Sequence, residues 1–176
     1  MMTVLIALGA LLAGFLIFVA LKPSHFEVAR EVRIASPVAR IFPYLNNTAL
    51  SNQWSPWTAM DPQAKMKISG PAEGVGSKLS WTDGKRLGTG SATIVESVPG
   101  ERVRIKLEYV KPFEMSQDAY YFVKSEGATT TVTWKVEGKN TFLGRLMCTF
   151  MDMDKEIGGT FTKGLTDLKT LVEKAS

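Results

Sequence analysis

The chain has a single cysteine, Cys148, and a single histidine, His25. One cysteine excludes an intrachain disulfide framework and any cysteine-cluster metal site. One histidine excludes a multi-histidine metal centre. Nucleotide and hydrolase signatures are missing too. Gly74-Val75-Gly76 and Gly88-Thr89-Gly90 stop short of G-x-G-x-x-G and sit in a hairpin context, and there is neither a P-loop nor a G-x-S-x-G elbow. Cys148 has no histidine near it in sequence and reads as an inert buried thiol. Internal repeats and low-complexity tracts are absent. Net charge is only +4 over 176 residues, too little to point to nucleic acid, although it suits a domain beside anionic lipid. No cofactor or metal site is expected, and no catalytic constellation can be identified.

The other absence is local: no charged side chain occurs from Met1 to Leu21. Val4 to Leu21 is almost wholly aliphatic. As a helix it would rise roughly 27 Å, close to a hydrocarbon core of about 30 Å. It is apolar on every side, and a helix satisfies its own backbone groups in lipid. Residues 1–22 are therefore expected to be a retained single-pass anchor in the inner (cytoplasmic) membrane. A cleaved signal peptide is the alternative, but no basic residue precedes the run and Phe18-Val19-Ala20 is a poor cleavage site. Lys22, Arg30, Arg33 and Arg40 all follow the helix, which puts the folded domain on the cytoplasmic side.

Residues 23–176 read as one α+β domain. Phe26, Val28, Val32 and Ile34 share one strand face, which Arg30 interrupts. Ser36-Pro37 opens a short helix, kinked or shortened by Pro43, and a second short helix is expected over Thr48 to Gln53. Strands are expected at Lys65 to Ser69, Ser77 to Thr82, Arg86 to Ser97, Arg102 to Val110, Met115 to Lys124 and Thr129 to Glu137. Gly- and Pro-containing turns separate them, so the sheet is an antiparallel meander of about seven strands. Gly88, Gly90 and Ala92 allow it to bend. After Gly138 the spacing becomes helical. Phe150, Ile157, Phe161, Leu165, Leu168 and Leu171 make a stripe that Asp154 breaks, and Gly158-Gly159 is a candidate kink or hinge.

Taken in order, FEVAREVRIASPVARIFPYL, QWSPWTAMDP, SGPAEGVGSKLSW, TTTVTW and IGGTFTKGLTDLK resemble the START-like superfamily, also called Bet v 1-like or SRPBCC. Within it they are similar to the bacterial polyketide cyclase/dehydrase and lipid transport group. The resemblance runs from Phe26 to the C-terminus. It implies a helix grip, in which a curved antiparallel sheet wraps a long C-terminal helix around an apolar cavity. Members bind lipids, sterols, polyketides or other apolar molecules. The group has no universal catalytic residues to carry over.

Cavity lining is expected from Leu79, Trp81, Ile105, Leu107, Tyr109, Tyr120, Phe122, Trp134, Met147, Phe150, Met151 and Asp154. A one-residue slip would exchange Tyr120 and Phe122 for Tyr121. Trp54 and Trp57 are placed by the resemblance at the cavity mouth, as a gate or as a structural plug. Asp152, Asp154 and Glu156 read as a solvated face near a helix start; the alternative for Asp154, which falls on the apolar stripe, is a buried acid with a raised pKa that contacts a ligand. The functional expectation is a membrane-tethered binder of a hydrophobic small molecule or lipid. A polyketide cyclase/dehydrase-like enzyme and a co-chaperone-like interaction module are the alternatives.

Overall fold

The computed structural model describes residues 2–150 and 152–174, with all their side chains except those of Leu143 and Met147. An apolar helix comes first, α1 (Met2–Ala20). Strand β1 (His25–Ile34) follows, then three short helices, α2 (Val38–Asn46), α3 (Thr48–Ser51) and α4 (Pro56–Met60). Next are β2 (Lys65–Ser69), β3 (Lys78–Thr82), β4 (Thr89–Val98), β5 (Arg102–Lys111), β6 (Met115–Glu126) and β7 (Thr129–Lys139). Two helices close the chain, α5 (Phe142–Phe150) and α6 (Met153–Lys174). The seven strands form one antiparallel sheet ordered β1-β7-β6-β5-β4-β3-β2, a meander with the first strand added beside the last.

The sheet bends where register slips between β4 and β5, at Thr89/Gly90 and again at Ile94/Glu96. An extra residue in one strand increases local twist and re-aims the side chains beyond it. The residues skipped, Val110 of β5 and Val95 of β4, are both left exposed. α6 packs on β1 and β7 and rests against α4. It also covers the free edge of β1: Lys169 Nζ donates to the Arg33 carbonyl at 2.8 Å, and the Ala35 N–H donates to Glu173 Oε1 at 2.8 Å. Otherwise that edge would expose unpaired backbone groups to other strands.

Several expected boundaries move. A third short helix, α4, follows Ser55, with Pro56 in its first turn. Ser36 does not cap α2; its side chain is buried, and Pro37 holds the cap position without a side-chain bond. β4 begins at Thr89 rather than Arg86, because the Arg86 and Leu87 N–H groups donate to the buried Asp61 carboxylate at 2.7 and 3.0 Å instead of to a strand. The C-terminal stripe is split between α5 and α6, while α6 runs through Gly158-Gly159 without a break. Gly158 serves close approach: a Cβ there would collide with the guanidinium of Arg30.

Candidate functional site

Strand pairing lays the inner face of the sheet out in rows. At the end where α1 joins, the first row is Met66, Trp81, Gly90, Tyr109 and Met115. The second is Ile68, Leu79, Ala92, Leu107, Gln117, Gly138 and Phe26. Further from the anchor come Ile94, Ile105, Ala119, Val136 and Val28, then Val103, Tyr121, Trp134 and Arg30, then Val123, Val132 and Val32.

The distal rows are filled. The Trp134 ring stacks on Phe161 of α6 with centroids 4.1 Å apart, and Trp54 meets Tyr121 and Trp134 edge-on at 5.6 and 5.5 Å. Val103, Val132, Leu165 and Leu168 are fully buried around them. Close-packed aromatic edges and faces leave no room for a ligand here.

The two proximal rows differ. Leu79, Leu107, Tyr109, Met66 and Phe26 are only half-buried, and Met115 and Ile68 are 38% and 45% exposed although they point inward. Small residues occupy the floor. The Trp81 ring lies across Gly90, where any Cβ would strike it, and the Phe26 ring lies across Gly138 in the same way. Trp81 is held by its own indole N–H, which donates to the Leu87 carbonyl at 3.1 Å, and by an edge contact with Tyr109 at 5.7 Å. Asp61 fixes that loop. Its pKa is pulled below the usual carboxylate range by the N–H groups of Leu87 and Arg86.

Two phenols face this interior. Burial pushes the pKa of both Tyr109 and Tyr121 upward, so each stays protonated across the neutral range. Neither hydroxyl has a hydrogen-bond partner among the described residues. The proximal rows are an apolar surface, floored by small residues, with one neutral donor, Tyr109; Tyr121 lies in the filled distal rows, packed against Trp54 and Trp134.

Of the expected lining residues, Leu79, Trp81, Ile105, Leu107, Tyr109 and Trp134 all project from the inner face, Trp134 within the filled part. Tyr120 and Phe122 are corrections. They lie on the outer face, stacked on each other at 5.5 Å, where Tyr120 donates to Glu137 at 3.1 Å and has Arg104 and Lys135 over its ring. Tyr121 takes their place inside. Trp54 is not at a mouth; it is 2% exposed and its indole donates to the Tyr44 carbonyl at 3.1 Å, making it the plug of the two expectations. Trp57 is half-buried on α4. Phe150 is 75% exposed and faces Phe15 of α1, not the sheet. The side chain of Met147 and all of Met151 lie outside the described residues.

Asp154 is the sharpest correction. It is not a buried acid: its side chain is 62% exposed and its pKa is lowered, chiefly by a hydrogen bond from Arg30. The Arg30 guanidinium spans both carboxylate oxygens at 2.8 and 3.1 Å and also donates to the Asp154 carbonyl at 3.0 Å. The residue that interrupts the β1 stripe thus meets the one that interrupts the α6 stripe. No cluster of His, Cys, Asp or Glu suited to a metal ion occurs among the described residues.

Two surface concavities lie elsewhere. One, of about 380 Å³, is lined by Cys148, Thr149, Phe150, Asp152 and Met153 at the α5–α6 junction; the other, of about 320 Å³, lies beside α2. The first adjoins the anchor-proximal end of the domain.

Residues 25–173 match the family model described as polyketide cyclase / dehydrase and lipid transport. Among solved structures, the chain is similar to the Aha1 dimer of Colwellia psychrerythraea (17% identity, 84% of this chain and 96% of that one, TM-score 0.60). It is similar to norcoclaurine synthase of Thalictrum flavum, solved with dopamine and hydroxybenzaldehyde (12%, 86% and 88%, TM-score 0.63). Protein MLL2253 of Mesorhizobium loti aligns as well (12%, 86% and 99%, TM-score 0.60). At such identities these likenesses establish the helix-grip fold and nothing finer. No curated protein matches the chain.

Proposed function

The chain belongs to the polyketide cyclase/dehydrase and lipid transport family, and from that premise we propose that it is a membrane-tethered binder of an apolar small molecule or lipid, held over the two proximal rows of the inner face. The observation that carries this is the half-covered apolar surface of Leu79, Leu107 and Tyr109 beside the buried Trp81, where inward-pointing side chains remain accessible next to a filled core. Covering it would bury apolar area worth about 25 cal/mol per Å² before ordering costs. The Tyr109 hydroxyl, protonated and bonded to no described residue, supplies a donor for an ester, ketone or carboxylate oxygen on the ligand.

The tether is α1, the one described helix long and apolar enough to cross a membrane. Residues 1–22 are read as anchor and 23–176 as the binding domain. Lys22 at the end of α1, with Arg30, Arg33 and Arg40 beyond it, supports a domain on the cytoplasmic side of the inner membrane. An apolar ligand partitions into the bilayer, so tethering keeps the binding face beside its source.

Catalysis is the weaker reading. The titratable groups on the inner face are phenols held protonated, suited to donate a hydrogen bond but poor as bases near neutrality. Arg30 is engaged by Asp154.

The test is native mass spectrometry of the full chain released from lipid nanodiscs. A bound apolar species that survives release, and that Leu107→Trp displaces, is the expected result. A bare chain under conditions that preserve the fold contradicts the proposal.

A further inference from the structure

The link between α1 and β1 is short and pinned. Leu21–Ser24 is four residues, which can span at most about 14 Å when extended. The Leu21 and Lys22 N–H groups still donate back to Ile17 and Val19, and the Ser24 carbonyl accepts from the Asn140 N–H at 2.7 Å. If α1 crosses a bilayer, the end of the sheet carrying His25, Lys139, Met115 and Lys111 lies within reach of the headgroup layer.

α5 goes further. It packs on α1. Arg145 Nη1 donates to the Ala20 carbonyl at 2.6 Å, Lys22 Nζ donates to the Cys148 carbonyl at 3.4 Å, and the Phe150 ring sits 6.2 Å from that of Phe15. Phe15 precedes Ala20 by five residues, about 7 Å along a helix. Phe150 is thus level with a turn and a half inside the apolar run. At the same end of the domain Phe113, in the β5–β6 loop, is 62% exposed, and Phe142 and Met115 are exposed nearby in the fold. Such a set of large exposed apolar side chains marks an interaction surface. Lys22, Lys85, Arg86, Lys111, Lys139 and Arg145 belong to this end too, against four acids in its loops: Asp61, which accepts from the Arg86 and Leu87 N–H groups, Asp83, paired with Lys65, Glu114 beside Phe113, and Asp152. Aromatic side chains among basic ones fit the interface of a bilayer containing anionic lipid.

We propose that the anchor-proximal end of the domain, through Phe113 of the β5–β6 loop and Phe150 of α5, docks into the surface of the bilayer that α1 crosses, so that the proximal rows of the inner face open toward lipid. This rests on the reading of α1 as an anchor. It makes the membrane a structural partner of the folded domain and not only a place of attachment.

The test uses the full chain, carrying Cys148→Ser, in vesicles of phosphatidylcholine and phosphatidylglycerol. Single cysteines are placed at Leu11, Phe113, Phe150, Ala72 and Ala128 and labelled with an environment-sensitive fluorophore. Ala72 and Ala128 are exposed at the opposite end of the sheet. Quenching by nitroxide-bearing lipid is expected at 11, 113 and 150, and little at 72 or 128. Quenching at 11, with 113 and 150 no more quenched than 72 and 128, overturns docking while leaving the anchor intact. No quenching at 11 overturns the anchor, and the docking with it. Pure phosphatidylcholine should weaken quenching at 113 but not at 11; equal quenching at 113 in both lipids overturns the part assigned to the basic side chains.

Discussion

The two ends of the inner face are built from the same alternating strands but treated differently. Distal to the anchor, Trp54, Tyr121, Trp134 and Phe161 fill the space between sheet and helix. Proximal to it, Leu79, Leu107 and Tyr109 project from a floor thinned by Gly90, Ala92 and Gly138 and remain half-covered. Both ends have apolar residues, so hydrophobicity alone does not separate core from binding surface. What separates them is what lies opposite: α6 packs on β1 and β7, and among the described residues no helix packs on β3 to β5 to a comparable extent. One half of the sandwich gives the fold its stability. The other is where an apolar ligand can substitute for missing protein.

The largest effect that would sharpen this contrast is truncation on each side. Trp134→Ala should cost about 3–5 kcal/mol in denaturant unfolding, the range for a large aromatic removed from a packed core. Leu107→Ala should cost under about 2 kcal/mol, since a half-exposed side chain gives up less, while reducing ligand retention more than Trp134→Ala does among molecules that remain folded. Equal destabilisation would erase the distinction. Next in size is the acid response. The pKa of Asp61 is depressed in the folded state, so its contribution is complete above an unfolded value of about 4 and is lost as pH falls through the lower folded one. Asp61→Asn should flatten the fall in stability below about pH 4 and loosen the loop that holds Trp81, which tryptophan fluorescence would report.

A smaller effect concerns the clasp between β1 and α6. Gly158→Ala pushes the Arg30 guanidinium away from Asp154, so Gly158→Ala and Asp154→Ala should be non-additive in a double-mutant cycle, each removing the same contact. Additive losses would mean that Gly158 serves something else. The smallest effect on stability is expected for Tyr109→Phe, within about 0.5 kcal/mol because its hydroxyl bonds to no described residue. The same substitution should weaken ligand binding by roughly two- to tenfold, the worth of one hydrogen bond. Unchanged affinity would remove the phenol from the site.

Much of this was legible in the sequence, and the misses have identifiable causes. Strict alternation in β5 and β7 placed Ile105, Leu107, Tyr109 and Trp134 inward. The run Ala119-Tyr120-Tyr121-Phe122 offered three aromatics in succession, so aromatic content could not choose a face. Asp118 and Lys124 could: they share parity with Tyr120 and Phe122, while Ala119 and Val123 share it with Tyr121. Arg30 and Asp154 each stood out as a charge on an apolar stripe, but no local pattern pairs residues that far apart in the chain. Phe150 fitted the spacing of the last helix, yet the stripe continued across a break that turns α5 toward α1. Trp54 was assigned to a mouth on resemblance, whereas its burial follows from the short α2–α3–α4 segment folding over the distal rows.

The most direct measurement is photo-crosslinking of the membrane-embedded full chain with a diazirine-bearing fatty acid, followed by peptide mapping. Apart from labels in α1, adducts are expected at Leu79, Trp81, Leu107 and Tyr109, and should be competed away by unlabelled fatty acid. Adducts confined to α1, or found at Trp134 and Phe161 as readily as at Leu107, would contradict a binding surface restricted to the proximal rows.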